Sequence, residues 1–286
     1  MHNIVILGCG WLGQQIATTL IAHGYRVTGT RQSLAGCAEL APEIHPQVLS
    51  FPCDNFPTEL VDDAFVIVAL PASVPNYLAA LGQISQACSR ARRVFFCSST
   101  GIYAGLSGHL QEALVPTYLP LQPTASTDLP IALQAVQSPA LALSRVQRLM
   151  AAEFIMRQHA NTVVLRLAGL IGPGRHPANF CRHGALRGAD LPVNMVHSRD
   201  VAHFLLAWLA QPEPPQETVV NLCSPEHPSK QLFYRAACQH AKAAPPSFHP
   251  EQADELPRTI DVQLSLTLAG FQYEFASPIQ AIVYCS

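Results

Sequence analysis

The chain has 286 residues, 49% of them hydrophobic and only 13% charged, with a formal net charge of −2. That apolar share, with a charged fraction about half the usual ~25%, excludes a disordered chain and a coiled coil. The near balance of 17 basic and 19 acidic residues leaves no basic stripe to neutralise nucleic-acid phosphates. The length permits two domains or one large one.

Elements follow in chain order. Asn3 to Leu7 reads as a strand buried on both faces. Leu12, Ile16 and Leu20 repeat at i, i+4, i+8 as one helix face, and Gly24 after His23 suits a C-terminal cap. Tyr25 to Thr30 predicts a second strand, Val48 to Phe51 a weaker third, and Ala64 to Leu70 a strong fourth closed by Pro71. Pro75 opens a helix with Tyr77, Leu81, Ile84 and Cys88 on one face, and Val94 to Ser98 is a fifth strand. Strands and helices in alternation predict an α/β fold, a parallel sheet with helices on both sides. After the Pro-rich stretch 113–139, a helix is expected from about Pro139 to Gln158 with Ser138 as N-cap. Thr162 to Ala168 reads as a sixth strand and 169–196 as loop. Asp200 is expected to cap a helix with its core stripe at Val201, Phe204, Leu205, Trp208 and Leu209, and His197 to fix a loop. Val219 to Cys223 is a seventh strand, and Ser229 caps a helix to about Lys242.

The nine cysteines are odd in number and show no C-x-x-C spacing, which argues against a disulfide framework or zinc knuckle. No metal site is expected. Reduced thiols, an N-terminus without a charged leader region, and an apolar maximum of Ala64 to Leu70, far below the ~20 residues of a membrane span, predict a cytoplasmic protein.

The strongest motif is Gly8-Cys9-Gly10-Trp11-Leu12-Gly13, a G-x-G-x-x-G between a strand and a helix. In that setting the first glycine makes the tight turn, the second admits a pyrophosphate, and the third lets helix pack on strand. A Gly-rich turn without ligand is the alternative. An NAD site usually carries an acid about 20 residues on. Here that region reads Thr28-Gly29-Thr30-Arg31-Gln32-Ser33, and the first acid of the chain is Glu39. Arg31 is a planar donor suited to a 2′-phosphate. NADP is therefore the expected cofactor and NAD the alternative. Its predicted contacts are Gly8, Gly10, Trp11, Leu12, Gly13, Thr30, Arg31, Leu70, Pro71 and Ser98.

Three further stretches join this turn in order: Cys97-Ser98-Ser99-Thr100-Gly101-Ile102-Tyr103, Arg166-Leu167-Ala168-Gly169-Leu170-Ile171-Gly172-Pro173-Gly174-Arg175, and His197-Ser198-Arg199-Asp200. Together they resemble the extended short-chain dehydrogenases/reductases of the NAD-dependent epimerase/dehydratase type, nearest to small atypical members of the YeeZ kind. The resemblance implies a Rossmann core with a smaller C-terminal substrate region. It implies 1–168 as the core, completed by roughly 197–223, and 169–196 with 224–286 as the substrate region. It also implies Ser99 as the substrate-polarising hydroxyl, with Thr100 as its neighbour and alternative, and a structural role for Tyr103. The family's Tyr-x-x-x-Lys is absent. One register puts Ser144 and Arg148 at its two positions; another, anchored on Glu153, puts Arg145 and Leu149 there. Arg148 could hydrogen-bond the nicotinamide ribose as the family lysine does, but an arginine cannot serve as base. Tyr118 is a substitute acid to weigh. Arg175 and His176, with Arg182, His183 and Arg187, form a basic loop suited to an anionic substrate.

The expected function is NADP(H)-linked oxidoreduction or epimerisation of a hydroxylated small molecule, with nucleotide sugars as an anionic class. The expected partner is that small molecule, with no nucleic acid and no membrane, in a monomer or homodimer. The rivals are a non-catalytic NADP(H) sensor, favoured by the missing tyrosine, and a reductase of the 6-phosphogluconate or ketopantoate type. The strand at 219–223 speaks against the second.

Overall fold

The computed structural model describes residues 3–114, 143–159, 161–212, 219–249 and 256–286. Its strands are β1 (Asn3–Leu7), β2 (Arg26–Arg31), β3 (His45–Val48), β4 (Phe65–Val68), β5 (Arg93–Ser99), β6 (Gly108–Leu110), β7 (Thr162–Leu167), β8 (Gly169–Ile171), β9 (Met195–His197), β10 (Val219–Leu222) and β11 (Arg258–Ile260). Its helices are α1 (Trp11–Ala22), α2 (Leu34–Ala38), α3 (Tyr77–Ala87), α4 (Arg145–Met156), α5 (Ser198–Leu209), α6 (Lys230–His240), α7 (Gln263–Leu266) and α8 (Pro278–Ala281).

Seven strands make one sheet in the order β10-β7-β5-β4-β1-β2-β3, the doubly wound arrangement expected from the alternating pattern. β1 pairs in parallel with β2 on one side and β4 on the other, so Ile4 faces Val27 and Phe65 in register. Ile4, Val5, Ile6 and Leu7 are all buried, as a central strand covered on both faces requires. The strand order reverses between β1 and β4. In open sheets of this kind the ligand crevice lies at the carboxyl ends of the strands flanking such a reversal.

The described chain divides into two units. One takes in the described parts of Met1–Ile102, Pro116–Arg166 and Gln216–Val219; the other those of Tyr103–Val115, Leu167–Pro215 and Val220–Ser286. In the first, Ile16, Ala17 and Leu20 of α1 are buried, and Gly24 follows the helix with φ +86°. Apolar side chains from β4, β5, α3 and α4 fill one core, among them Val66, Leu81, Phe96 and Ile155. In the second unit β6 pairs with β11 and β8 with β9, both in parallel. Ile171, Val193, Phe233, Phe275 and Ile282 pack there as a separate core. No helix among the described residues is long and apolar enough to cross a membrane.

Four local expectations are corrected. The third strand is His45–Val48, not 48–51: it pairs with β2 through the backbone at the sheet edge, where Pro46 is tolerated. Leu49 and Phe51, whose apolarity suggested a strand, are buried in the core just beyond it. The helix expected from Pro139 begins at Arg145 with Ser144 as N-cap; Ser138 and Pro139 lie outside the described residues. The segment 169–196 is not all loop, since it carries β8 and β9, which are too short to show a period. The N-cap of α5 is His197, whose Nδ1 accepts the Arg199 N–H at 3.2 Å, while Asp200 sits in the first turn. Ser229 caps α6 as expected.

Candidate functional site

The Gly-rich turn leaves β1 at the reversal point. Gly8 has φ +81°, and a Cβ there would meet Ala69 C and Leu70 Cα at 3.2 Å. The turn must therefore pass close to the end of β4, and only glycine does so without strain. Gly13 packs α1 onto β1, since its Cβ would lie 3.0 Å from Ile6 Cγ2. Gly10 is different. Its Cβ would lie 3.9 Å from Arg31 Nη1 and from Gly8 O, ordinary contact, so no close packing demands a glycine there. The first turn of α1 has no acid and its N-cap Gly10 makes no side-chain cap hydrogen bond. Trp11 and Leu12 are half-buried beside it, Leu70 is buried against Gly8, and Pro71 is exposed.

The end of β2 closes over this turn. Thr30 is buried, and its Oγ1 accepts the Gly8 N–H at 3.0 Å. Arg31 Nη1 donates to Cys9 O at 3.2 Å, which places the guanidinium beside Gly10. Its Nη2 meets Glu39 Oε2 at 2.7 Å. Sequence spacing missed this carboxylate, because it returns from the far side of α2 rather than from the strand end. Gly29 was also missed: a Cβ there would lie 2.8 Å from Ile44 Cγ2 and 2.9 Å from Cys9 Sγ. Burial pushes the Cys9 thiol up to about 11, with Arg31 pulling the other way.

At the end of β5 the side chains alternate. Ser98 was expected at the cofactor, but it points into the fold and donates to Glu153 Oε1 at 2.6 Å. Glu153 is held in turn by Arg166, with Nη2 to Oε2 at 2.8 Å, and all three residues are buried. Burial, with Cys97 and Glu153 nearby, pushes the Tyr77 hydroxyl far above its ordinary value. Ser99 and Thr100 are half-buried on the other side, where Ser99 Oγ accepts the Gly101 N–H at 3.0 Å.

The start of α4 bears on the missing tyrosine. Ser144 Oγ accepts the Gln147 N–H at 3.2 Å, and Gln147 Oε1 accepts the Ser144 N–H at 2.9 Å, a complete capping box. The Ser144 hydroxyl is therefore engaged in holding the helix end. Arg145 and Arg148 are both exposed on the first turns, which carry no acid. Arg145 Nη2 comes within 3.6 Å of where a Gly101 Cβ would be. Tyr118 lies outside the described residues.

The remaining predicted residues belong to the second unit. Arg175 is exposed. His176 caps a short 3₁₀ turn, its Nδ1 accepting the Ala178 N–H, and its ring stacks on His240 with Nε2 and Nδ1 3.2 Å apart. Burial and His240 lower its pKa. Tyr103 is fully buried and donates to Asn221 Oδ1 at 3.0 Å, in keeping with a structural role. Among the described residues no three His, Cys, Asp or Glu side chains gather as a metal site.

No family model matches the chain. Protein YeeZ of Escherichia coli strain K12 is 27% identical over 296 residues, which covers 98% of this chain and 98% of that protein. A protein of unknown function from Silicibacter pomeroyi superposes with a TM-score of 0.72 at 20% identity, covering 99% of this chain and 98% of the other. The UDP-glucuronic acid 4-epimerase of Bacillus cereus, solved in complex with NAD, gives 0.73 at 14% identity, covering 99% and 96%. The chain therefore shares, along its whole length, the Rossmann fold of the UDP-sugar epimerases.

Proposed function

We propose that the protein binds NADP(H) at the Gly8–Gly13 turn and is an oxidoreductase of the extended short-chain dehydrogenase type. Its substrate would be a hydroxylated, anionic small molecule of the nucleotide-sugar class. The observation that carries this reading is the Arg31 guanidinium held beside Gly10 at the start of α1, where no close packing fills the turn. A bound nicotinamide would supply or take the hydride. Around it, Gly8, Gly10, Trp11, Leu12 and Gly13 would line the pyrophosphate, with Leu70 and Pro71 from the adjoining strand end. Thr30 holds the turn through Gly8, and Arg31 would receive the 2′-phosphate. Ser99, with Thr100, would face the substrate oxygen, and Arg148 would hydrogen-bond the ribose. The Bacillus cereus epimerase is a complex with NAD; the preference for NADP(H) rests on Arg31 alone.

In the same reading, 1–168 with roughly 197–223 form the cofactor core, and 169–196 with 224–286 the substrate region, where Arg175 and His176 would meet the anion. It acts as monomer or homodimer in the cytoplasm, where its nine thiols remain reduced.

Titration of the protein with NADPH and NADH, following nicotinamide fluorescence, tests the proposal. NADPH should bind about 10–100-fold tighter, the range of one charged hydrogen bond, and Arg31→Ala should remove that margin while leaving NADH unchanged. Equal affinities in the wild type would reduce Arg31 to a surface residue. A second reading, a dinucleotide sensor without catalysis, is favoured by the engagement of Ser144 in the capping box. It predicts tight cofactor binding with no turnover on any nucleotide sugar.

A further inference from the structure

α2 is only five residues long, and Gly36 stands at its centre. Its φ is not in the left-handed region, so no turn requires a glycine there. Glycine is a poor helix former, and alanine would serve so short a helix better. What a side chain at 36 would meet is Arg31. A Cβ there would lie 3.1 Å from Arg31 Nε and 3.3 Å from Arg31 Cβ, closer than Cβ atoms normally pack. The arginine stem thus crosses the half-buried side of α2 against bare backbone. Its guanidinium is tied at both ends, Nη1 to Cys9 O at 3.2 Å and Nη2 to Glu39 Oε2 at 2.7 Å. With its Cβ fixed by β2 and both Nη atoms engaged, the side chain has no room to step aside without giving up one of those bonds.

We infer that Gly36 is a positioning residue for the cofactor preference: by lacking a side chain it lets Arg31 lie along α2 and so sets the guanidinium beside the Gly8–Gly13 turn. This rests on the reading above that Arg31 receives a 2′-phosphate. A guanidinium grips a phosphate through paired N–H groups in a fixed plane, and holding that plane in advance lowers the ordering cost of binding. A methyl group at 36 keeps the positive charge but displaces the plane that carries it. Gly36 acts only through Arg31. A dinucleotide without the 2′-phosphate is indifferent to it.

A double-mutant cycle over Gly36→Ala and Arg31→Ala tests this in the full-length protein, read by NADPH and NADH titration and by thermal unfolding without cofactor. With Arg31 present, Gly36→Ala should weaken NADPH roughly 10-fold, within the range of one charged hydrogen bond, and leave NADH unchanged. In the Arg31→Ala background the same substitution should change neither. Unfolding should carry the opposite sign. With Arg31 replaced, Gly36→Ala should raise the melting temperature by about 1–4 °C, as a better helix former does; with Arg31 present that gain should be absent or reversed. A cooperative transition shows that each variant is folded. A Gly36→Ala protein that keeps the full NADPH preference, or one that loses NADPH equally with and without Arg31, overturns the inference. A wild type that binds the two cofactors equally, or binds neither, sinks the 2′-phosphate reading alone. The unfolding cycle then decides the rest: coupling between the two substitutions supports the placing of Arg31 by Gly36, and additive effects overturn it.

Discussion

Asp200→Asn should make the second unit's stability rise with pH between about 4 and 6.5, where the wild type's is nearly flat with respect to two buried groups. Asp200 is fully buried in the first turn of α5; its Oδ1 accepts the Glu274 N–H at 2.7 Å and its Oδ2 has no partner. Burial raises its pKa to about 7, against the pull of the Glu274 and Phe275 N–H groups; the Glu274 carboxylate adds to the rise and Arg199 opposes it. His197 is fully buried as well. Its Nδ1 accepts from Arg199 N–H, so Nε2 carries the proton and faces Tyr284 O at 3.4 Å. Burial lowers its pKa to about 4, partly offset by the Tyr284 carbonyl. In an unfolded chain the two groups titrate near about 3.9 and 6.5. Between those values the folded state holds one proton, on Asp200, and the unfolded state holds one, on His197. The proton counts match, and the slope of stability with pH cancels. In the Asp200→Asn variant the unfolded state binds one proton more, so stability climbs by up to ~1.4 kcal/mol per pH unit, about 3 kcal/mol across the window. His197→Asn keeps a good N-cap and gives the mirror result: the folded state then binds more protons, and stability falls as pH rises. Urea denaturation at about pH 4.5, 5.5 and 6.5, followed through Trp208 in a Trp11→Phe background, reads each variant against wild type and so removes the other titrations. A pH-independent offset for Asp200→Asn would falsify the assignment of a buried, protonated Asp200.

Two further outcomes follow from ion pairs. Glu39→Gln frees the Arg31 guanidinium from an exposed pair worth ~0.2–1 kcal/mol; NADPH affinity should rise by up to about fivefold with NADH unchanged, and an equal rise for both cofactors would show that Arg31 does not read the 2′-phosphate. Glu153→Gln leaves Arg166 buried without its counter-charge, at a cost of ~3–5 kcal/mol, whereas Ser98→Ala removes one hydrogen bond from the same carboxylate and should lower the melting temperature far less. Similar losses for the two variants would mean that Arg166 finds another partner.

The sheet and the Gly-rich turn were legible because both are written in local chemistry. Continuous apolar runs such as Ile4 to Leu7 have one stable place, the middle of a covered sheet, and two glycines of the turn are dictated by close approaches, Gly8 to the end of β4 and Gly13 to Ile6. The edge strand was not, since β3 is held by backbone pairing while its apolar neighbours Leu49 and Phe51 serve the core. Glu39 escaped because its approach to Arg31 depends on how α2 folds back, which no spacing encodes. The two registers for the absent tyrosine could not be separated by motif either. They differ by one residue, and one residue turns a side chain by about 100° around a helix of about 3.6 residues per turn. What decides between them is where the helix begins. Ser144-x-x-Gln147 is a capping-box pattern, and once both of its hydrogen bonds form, the serine becomes part of the helix end and the next residue becomes the first to project from it. The cap thus engages the Ser144 hydroxyl at the helix end and leaves Arg145, exposed, as the first side chain beyond it.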